Sequence, residues 1–407
     1  MSVASGPYVA TSGLLFGYDM GNPERSWEGA PTTNLVPNPY ANWNGSNFVF
    51  GGYNYDATGT QTYTYVTNVS NPIGSPAVMQ YTTGTTGYKY WAVQGTIATT
   101  GTHTFSYYAR IVSGPAATSN LSNSQLWRSN GVDQSVTGDW NPTYTTNWVR
   151  YSTSGPCTAG TVLDYFPIHS GGLTGGYTIQ YCGFQLELGT YATPFVNGTR
   201  SNTQSLLDLM STTTLTTNNL TYNSDNTFNF AGGDATSTVT VPLSTAFNKL
   251  TGTIGMWVNP TSYSGSNGLF VNRDNNTANA TDWLWIGSWD SANYFFFRLG
   301  DGTTCCNNDL VISPWSTVCP TNTWTYVTCT WSSGGESRIY TNGVLRASRA
   351  ISAIPATNPS STGRIGLGHE GPGSWNGKIS TTQFYNRQLT EAEIQQNFNA
   401  TRGRYSI

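Results

Sequence analysis

The feature that most constrains this chain is the repetition of short runs with a period of two, separated by Gly, Asn and Pro. Gln61–Thr67 (QTYTYVT), His103–Val112 (HTFSYYARIV), Asn147–Thr153 (NWVRYST) and Tyr177–Glu187 (YTIQYCGFQLE) are of this kind. The pattern restarts near Ser205 and continues through Thr251–Asn259, Asp282–Gly287, Tyr294–Leu299 and Thr323–Trp331. Successive strand residues point to opposite faces, so many such runs with turns between them specify a sandwich or jelly roll. In Tyr177–Glu187 the alternation puts Ile179, Tyr181 and Gly183 on one face and Cys182, Phe184 and Leu186 on the other. Asn342-Gly343 between two such runs is the strongest short hairpin signal. One helix is marked, by Thr390-Glu391-Ala392-Glu393, which fits a capping box. It is expected from about Glu391 to Ala400, with Ile394 and Phe398 on one face and Gly403 as its stop.

Composition narrows the class. A length of 407 residues fits two domains, each of about 150–250 residues. Seventeen Lys+Arg against twenty Asp+Glu give a net charge of −3, and only 9% of residues are charged. No basic run offers a nucleic-acid footprint. Aromatic residues make up 14%, far too many for a disordered chain. Apolar runs are only a few residues long, so no membrane insertion is expected. What remains is an all-β protein with a polar, uncharged surface suited to hydroxyl-rich ligands. The start, Met1-Ser2-Val3-Ala4-Ser5-Gly6, has neither the basic nor the apolar stretch of a secretory leader. An extracellular style of surface without a leader fits a protein made in a host cytoplasm and released by lysis.

Catalytic patterns are missing. A retaining glucanase needs two carboxylates about 5–5.5 Å apart, and none of Glu24, Glu28, Glu187, Glu336, Glu370, Glu391 and Glu393 has the Glu-x-Asp-x-Glu type of spacing. Glu391 and Glu393 belong to a helix start, where carboxylates are favoured. Neither a Gly-x-Ser-x-Gly nor a phosphate-binding loop occurs. No enzyme is expected.

The six cysteines form no CxxC pair, which disfavours zinc. Cys157 with Cys182, or Cys305 or Cys306 with Cys319, are possible disulfides; free thiols are the reading a reducing cytoplasm favours. No cofactor is expected. Calcium stays open as a ligand of Asp274, Asn275 and Asn276, or of Asp301, Asn307, Asn308 and Asp309, although Asx-rich loops are more often plain turns. Sugar sites pair an aromatic platform with amides and carboxylates. Trp283, Trp285, Trp289 and Tyr294 lie near Asp282, Asp290 and Asn293, but their alternation fits a strand core at least as well, since Trp is highly buried on average. Trp43, Trp91, Trp127 and Trp140 read as lying in or beside loops, and Trp148 as core. The ligand-binding candidates are therefore Trp43, Trp91, Trp127, Trp140, Trp289, Asp290 and Asn293.

Two stretches carry resemblances. Trp324–Trp331, Tyr340–Leu345, Arg364–Gly368, Trp375–Ile379 and Phe384–Ile394, in this order, resemble the concanavalin A-like, laminin-G-like sandwich family. The ending Gln396–Tyr405 is similar to that of bacteriophage fibre and appendage proteins of that family. Thr33–Pro39, Trp148–Ser152 and above all Gln185–Phe195 (QLELGTYATPF) resemble carbohydrate-binding-module-like jelly rolls. The laminin-G-like resemblance also implies an opening strand like Gly13–Asp19 and, shortly after it, an Asp-Leu pair; here that pair, Asp208-Leu209, lies far downstream. The resemblances together imply two sandwiches, one inserted into the other: residues 1–11 a tail, 12–30 the first strand of the C-terminal sandwich, 31–200 the inserted jelly roll, and 201–407 the rest of the host. The opening strand should then pair near Ile379–Asn386. The implied function is a non-enzymatic structural protein of a phage virion, a tail or head fibre or a capsid decoration. Its expected partners are other virion proteins, host-surface glycan and further copies of itself, with no nucleic acid. A free carbohydrate-binding protein or bacterial adhesin is the alternative.

Overall fold

The computed structural model describes residues 8–40, 54–56, 62–83, 89–116, 119–120, 127–139, 142–170, 176–223, 225, 227–232, 236–243, 247, 249–263, 267–272, 284–289, 293–303, 307–356, 360–367 and 374–407. The chain divides into two compact units, Met1–Ala30 with Ser201–Ile407, and Pro31–Arg200.

In the first unit the opening strand Leu14–Asp19 pairs antiparallel with Asn376–Tyr385, from Leu14 opposite Tyr385 to Asp19 opposite Thr381. Phe16 and Tyr18 point into the core, and the Phe16 ring stacks on Phe384 at 4.1 Å. Each such side chain contributes about 1.5–3 kcal/mol on burial. Asn376–Tyr385 is the axis of an eight-stranded sheet, which runs through Thr251–Pro260, Thr325–Ser332 and Glu336–Thr341 to Val344–Ala350. The Asn342-Gly343 hairpin has positive φ at both residues (51° and 79°), as a type I′ turn requires. A seven-stranded sheet packs against the first. Its order is Thr216–Asn218, Thr238–Pro242, Thr362–Ile365, Asn267–Asn272, Leu284–Trp289, Tyr294–Leu299 and Leu310–Ile312. Phe270 meets Phe384 edge-on at 4.8 Å and Phe297 meets Trp331 at 5.7 Å, closing the core between the sheets.

Asp208-Leu209 locks the opening strand to the chain that follows. Asp208 Oδ1 accepts from the buried Gly17 N–H at 2.9 Å, and the Leu209 N–H donates to Gly17 O at 2.8 Å. The helix Glu391–Thr401 starts with the expected capping box. Phe398 lies 5.8 Å from Trp257, and Trp257 Nε1 donates to Thr401 Oγ1 at 2.7 Å, so the helix covers the outer face of the eight-stranded sheet. Gly403 is not the stop. Arg402–Tyr405 continue as a 3-10 turn, and the left-handed residue is Ser406 (φ 58°). The cause is docking: Tyr405 stacks on Trp257 at 4.0 Å, and Arg404 Nη1 bonds both Asp19 oxygens at 2.5 and 2.6 Å.

In the second unit a six-stranded sheet (Thr137–Gly138, Val149–Cys157, Gly101–Ser113, Thr178–Leu188, Ala77–Thr82, Thr62–Thr67) packs against a five-stranded one (Val132–Asp133, Trp127–Ser129, Val162–Ser170, Lys89–Thr96, Asn54–Asp56). The simple alternation expected for Tyr177–Glu187 breaks at Gly183. Its φ of +66° marks a bulge, and the pairing with Gly101–Ser113 shifts between Cys182 and Gln185. One extra residue reverses the phase, so Phe184 and Leu186 join Ile179 and Tyr181 in the core while Cys182 stays outside that cluster. The Gln185–Phe195 stretch has a structural purpose. Glu187, fully buried, accepts from Gln185 Nε2, Thr193 N and Thr193 Oγ1, and Asn34 spans to Phe184 and Val196. Cys157, Cys182, Cys319 and Cys329 are free and buried, so neither a Cys157–Cys182 nor a Cys319 disulfide forms; Cys305 and Cys306 lie outside the described residues. Burial pushes the Cys157 and Cys319 thiols up to about 11.

Candidate binding face

The outer face of the seven-stranded sheet carries an aromatic strip. Tyr294–Leu299 reads YFFFRL: Phe295, Phe297 and Leu299 enter the core, and Tyr294, Phe296 and Arg298 face outward. Register then places Trp285 opposite Arg298, Trp289 opposite Tyr294 and Val311 opposite Phe296. Trp285 and Phe296 stack at 5.8 Å with 19° between planes, and Tyr294 lies 6.1 Å from Phe296. Tyr294 and Val311 are 39% and 40% exposed and Phe296 is half-buried, so the strip has an accessible surface. Trp285 is fully buried beneath it.

A fixed charge pair borders the strip. Arg298 lies 5.4 Å over the Trp285 ring, a cation–π contact, and donates to both Asp309 oxygens, Nε to Oδ1 at 2.9 Å and Nη2 to Oδ2 at 2.7 Å. Burial pushes the Asp309 carboxyl above its ordinary value against the pull of Arg298. The strands of this sheet, as described, contain no Asp or Glu.

The residues singled out from sequence fare unequally. Trp289 ends the neighbouring strand Leu284–Trp289, with its side chain outside the described residues; Asp290, Trp43 and Trp140 lie outside them altogether. Asn293 clamps a turn: with φ +62°, it accepts from Ser316 N at 3.1 Å and donates to Ser316 Oγ at 2.6 Å. Trp91 and Trp127 are not loop platforms. They lie on the strands Lys89–Thr96 and Trp127–Ser129 with 2% and 1% exposure, packed edge-on against Tyr181 and Tyr165. Trp148 is the converse, half-buried outside the core cluster with Arg110 over its ring. Phe296 and Arg298 were missed because both faces of YFFFRL are aromatic, leaving Arg298 as the one polar marker of the outer side.

Of the calcium candidates, Asp274, Asn275 and Asn276 lie outside the described residues. Asp309 is committed to Arg298, and Asp301 accepts from Thr303 and Asn307. Among the described residues no cluster of three His, Cys, Asp or Glu could hold a metal, and no helix is long and apolar enough to cross a membrane. A cleft of about 460 Å³ in the second unit is bordered by His103, Leu188 and Arg200. Its Arg200 is held inside by Pro194 O at 2.7 Å, so the cleft wall is bound into the closing motif.

Residues 231–395 match the family model of the concanavalin A-like lectin/glucanases superfamily, in agreement with the two-sheet architecture. No curated protein matches the chain. Similar solved structures include the binding domain of botulinum neurotoxin serotype D, 17% identical over 49% of this chain and 50% of that one, with a TM-score of 0.37. The binding domain of Paraclostridial Mosquitocidal Protein 1 is 20% identical over 48% and 49%, with a TM-score of 0.39. The binding domain of botulinum neurotoxin DC in complex with rat synaptotagmin II is 21% identical over 49% and 50%, again at 0.39. The chain spans about half the length of each of these structures.

Proposed function

We propose that this chain is a non-catalytic glycan-binding protein whose ligand lies along Tyr294, Phe296 and Val311. The observation that carries the reading is the outward aromatic strip beside the immobilised Arg298–Asp309 pair. Sugars present CH faces that stack on aromatic rings and hydroxyl edges that need fixed polar groups, and the strip offers both. In this unit the C-terminal helix packs on the outer face of the eight-stranded sheet at Trp257 and Tyr326, which favours the seven-stranded sheet as the binding surface. Binding is favoured over hydrolysis because a retaining mechanism needs a carboxylate pair about 5–5.5 Å apart, and the described strands of this face supply no carboxylate.

We place this activity on a bacteriophage virion, as a fibre or decoration protein engaging host-surface glycan and neighbouring virion proteins. Residues 31–200 act there as an inserted carbohydrate-binding-module-like jelly roll. The support is the sparsely charged, aromatic composition and the resemblance of the C-terminal stretch to phage appendage proteins. Glycan-array binding by the full chain that falls on Tyr294→Ala and Phe296→Ala is the expected result. Undiminished binding by both variants overturns the site, and absence of the protein from purified virions overturns the setting.

A further inference from the structure

A second surface, in the unit Pro31–Arg200, has a different chemistry. On the outer face of its six-stranded sheet, Arg110 donates from Nε and Nη2 to the single oxygen Gln180 Oε1, at 3.0 and 2.8 Å. Gln180 Nε2 passes the chain on to Gln80 Oε1 at 3.0 Å. Trp148 sits against Arg110, with the guanidinium 4.9 Å from the ring centre, and its Nε1 donates to Ser70 O. The neighbouring strand repeats the arrangement. Arg150 stands opposite Tyr108, 5.5 Å over that ring, and donates Nη2 to Ser106 Oγ at 2.9 Å. Arg110 follows Tyr108 by two residues, so Arg110 and Arg150 are diagonal neighbours on one face, a spacing of about 7–8 Å or somewhat less between Cβ atoms.

Neither arginine bonds a carboxylate among the described residues, although the charge of Glu187 reaches Arg150. Arg128, Arg298, Arg338, Arg387 and Arg404 each meet a carboxylate. Arg110 and Arg150 are bonded, among the described residues, only to an amide oxygen and a hydroxyl. Arg150 Nε is buried with no hydrogen-bond partner there, and burial lowers that guanidinium's affinity for its proton. Two half-buried cations held by neutral acceptors, with Trp148 and the free end of the Gln80 amide beside them, form a preorganised receptor for planar anions. Guanidinium recognises carboxylate through two parallel hydrogen bonds.

We propose that this face is a separate binding site for a carboxylate-bearing polysaccharide, with Arg110 and Arg150 pairing its carboxylates and Gln80 and Trp148 contacting the sugar. It is independent of the Tyr294–Phe296 strip and stands or falls without it. The test uses the full chain and two forms of one polymer, polygalacturonate and its methyl ester, which share a backbone and differ in charge. Polygalacturonate is expected to bind at least about tenfold tighter than the ester, the worth of one charge-assisted hydrogen bond. Arg110→Gln and Arg150→Gln should each remove about that factor. Raising salt should weaken the acidic polymer alone, a readout that holds even where an arginine variant folds poorly. Equal affinity for both polymers, no binding to either, or full binding by both folded arginine variants overturns the proposal.

Discussion

Replacing Asp208 by Ala removes a buried side chain that ties the opening strand to the segment after residue 200. Its carboxylate accepts from Gly17 N at 2.9 Å, Met210 N at 3.2 Å, Thr212 N at 2.8 Å, Thr212 Oγ1 at 2.9 Å and Thr213 N at 3.2 Å. These bonds differ in worth. The Gly17 N–H is buried, and leaving it without an acceptor costs about 1–3 kcal/mol. Met210 and Thr212 are exposed, so their groups turn to water and lose only part of the roughly 1 kcal/mol net value of each bond. The sum is about 3–4 kcal/mol. For a unit of this size that lowers the melting temperature by roughly 6–16 °C. Calorimetry should show the loss in the transition of the unit that holds residues 8–30 and 201–407, with the transition of residues 31–200 unmoved. Asp208→Asn retains an acceptor for Gly17 but turns an NH2 toward the Thr212 and Thr213 donors, so it should recover only part of the loss. A cost below about 1 kcal/mol for the Ala variant, or an Asn variant as stable as the parent, would refute the reasoning.

Further outcomes concern charge and backbone. Arg298→Ala should destabilise by about 3–5 kcal/mol by stranding a buried carboxylate. Asp309 already sits above its ordinary range and rises further without Arg298, so in urea titrations this cost should grow as pH rises through that raised value. Arg387 holds the Glu393 carboxyl at about 2, against an ordinary 4.5. The stability it lends the helix cap is therefore present above 4.5 and is lost as pH falls toward 2. Glu393→Gln should flatten that part of the acid-unfolding profile. Gly183→Ala puts a Cβ at a φ of +66°, 3.2 Å from Ile73 and Tyr108 side-chain carbons. Thermal unfolding should show a loss of about 1–2 kcal/mol.

The local signals that were legible are those whose chemistry is complete within a few residues. The Thr390–Glu393 capping box and the Asn342-Gly343 turn each carry their own donors, acceptors or positive φ, and both stand as the sequence reads. That Leu14–Asp19 pairs with Asn376–Tyr385 is not written in either segment, and emerges only from resemblance. The site was harder to read because period two tells which side chains share a face and not which face is inside. Trp91 and Trp148 both lie in short strand-like runs, yet one is core and the other lies outside it. Phe296 and Arg298 were hidden by aromatic residues on both faces of their strand. The Gly183 bulge was invisible because a glycine in a run does not announce its φ.

The most direct test of the central claim is a crystal structure of the full chain with an oligosaccharide selected on the glycan array. The account predicts a sugar ring stacked on Tyr294 and Phe296, with a hydroxyl edge toward Arg298 and Asp309. An oligosaccharide bound elsewhere, with the Tyr294–Phe296 strip bare, would contradict it.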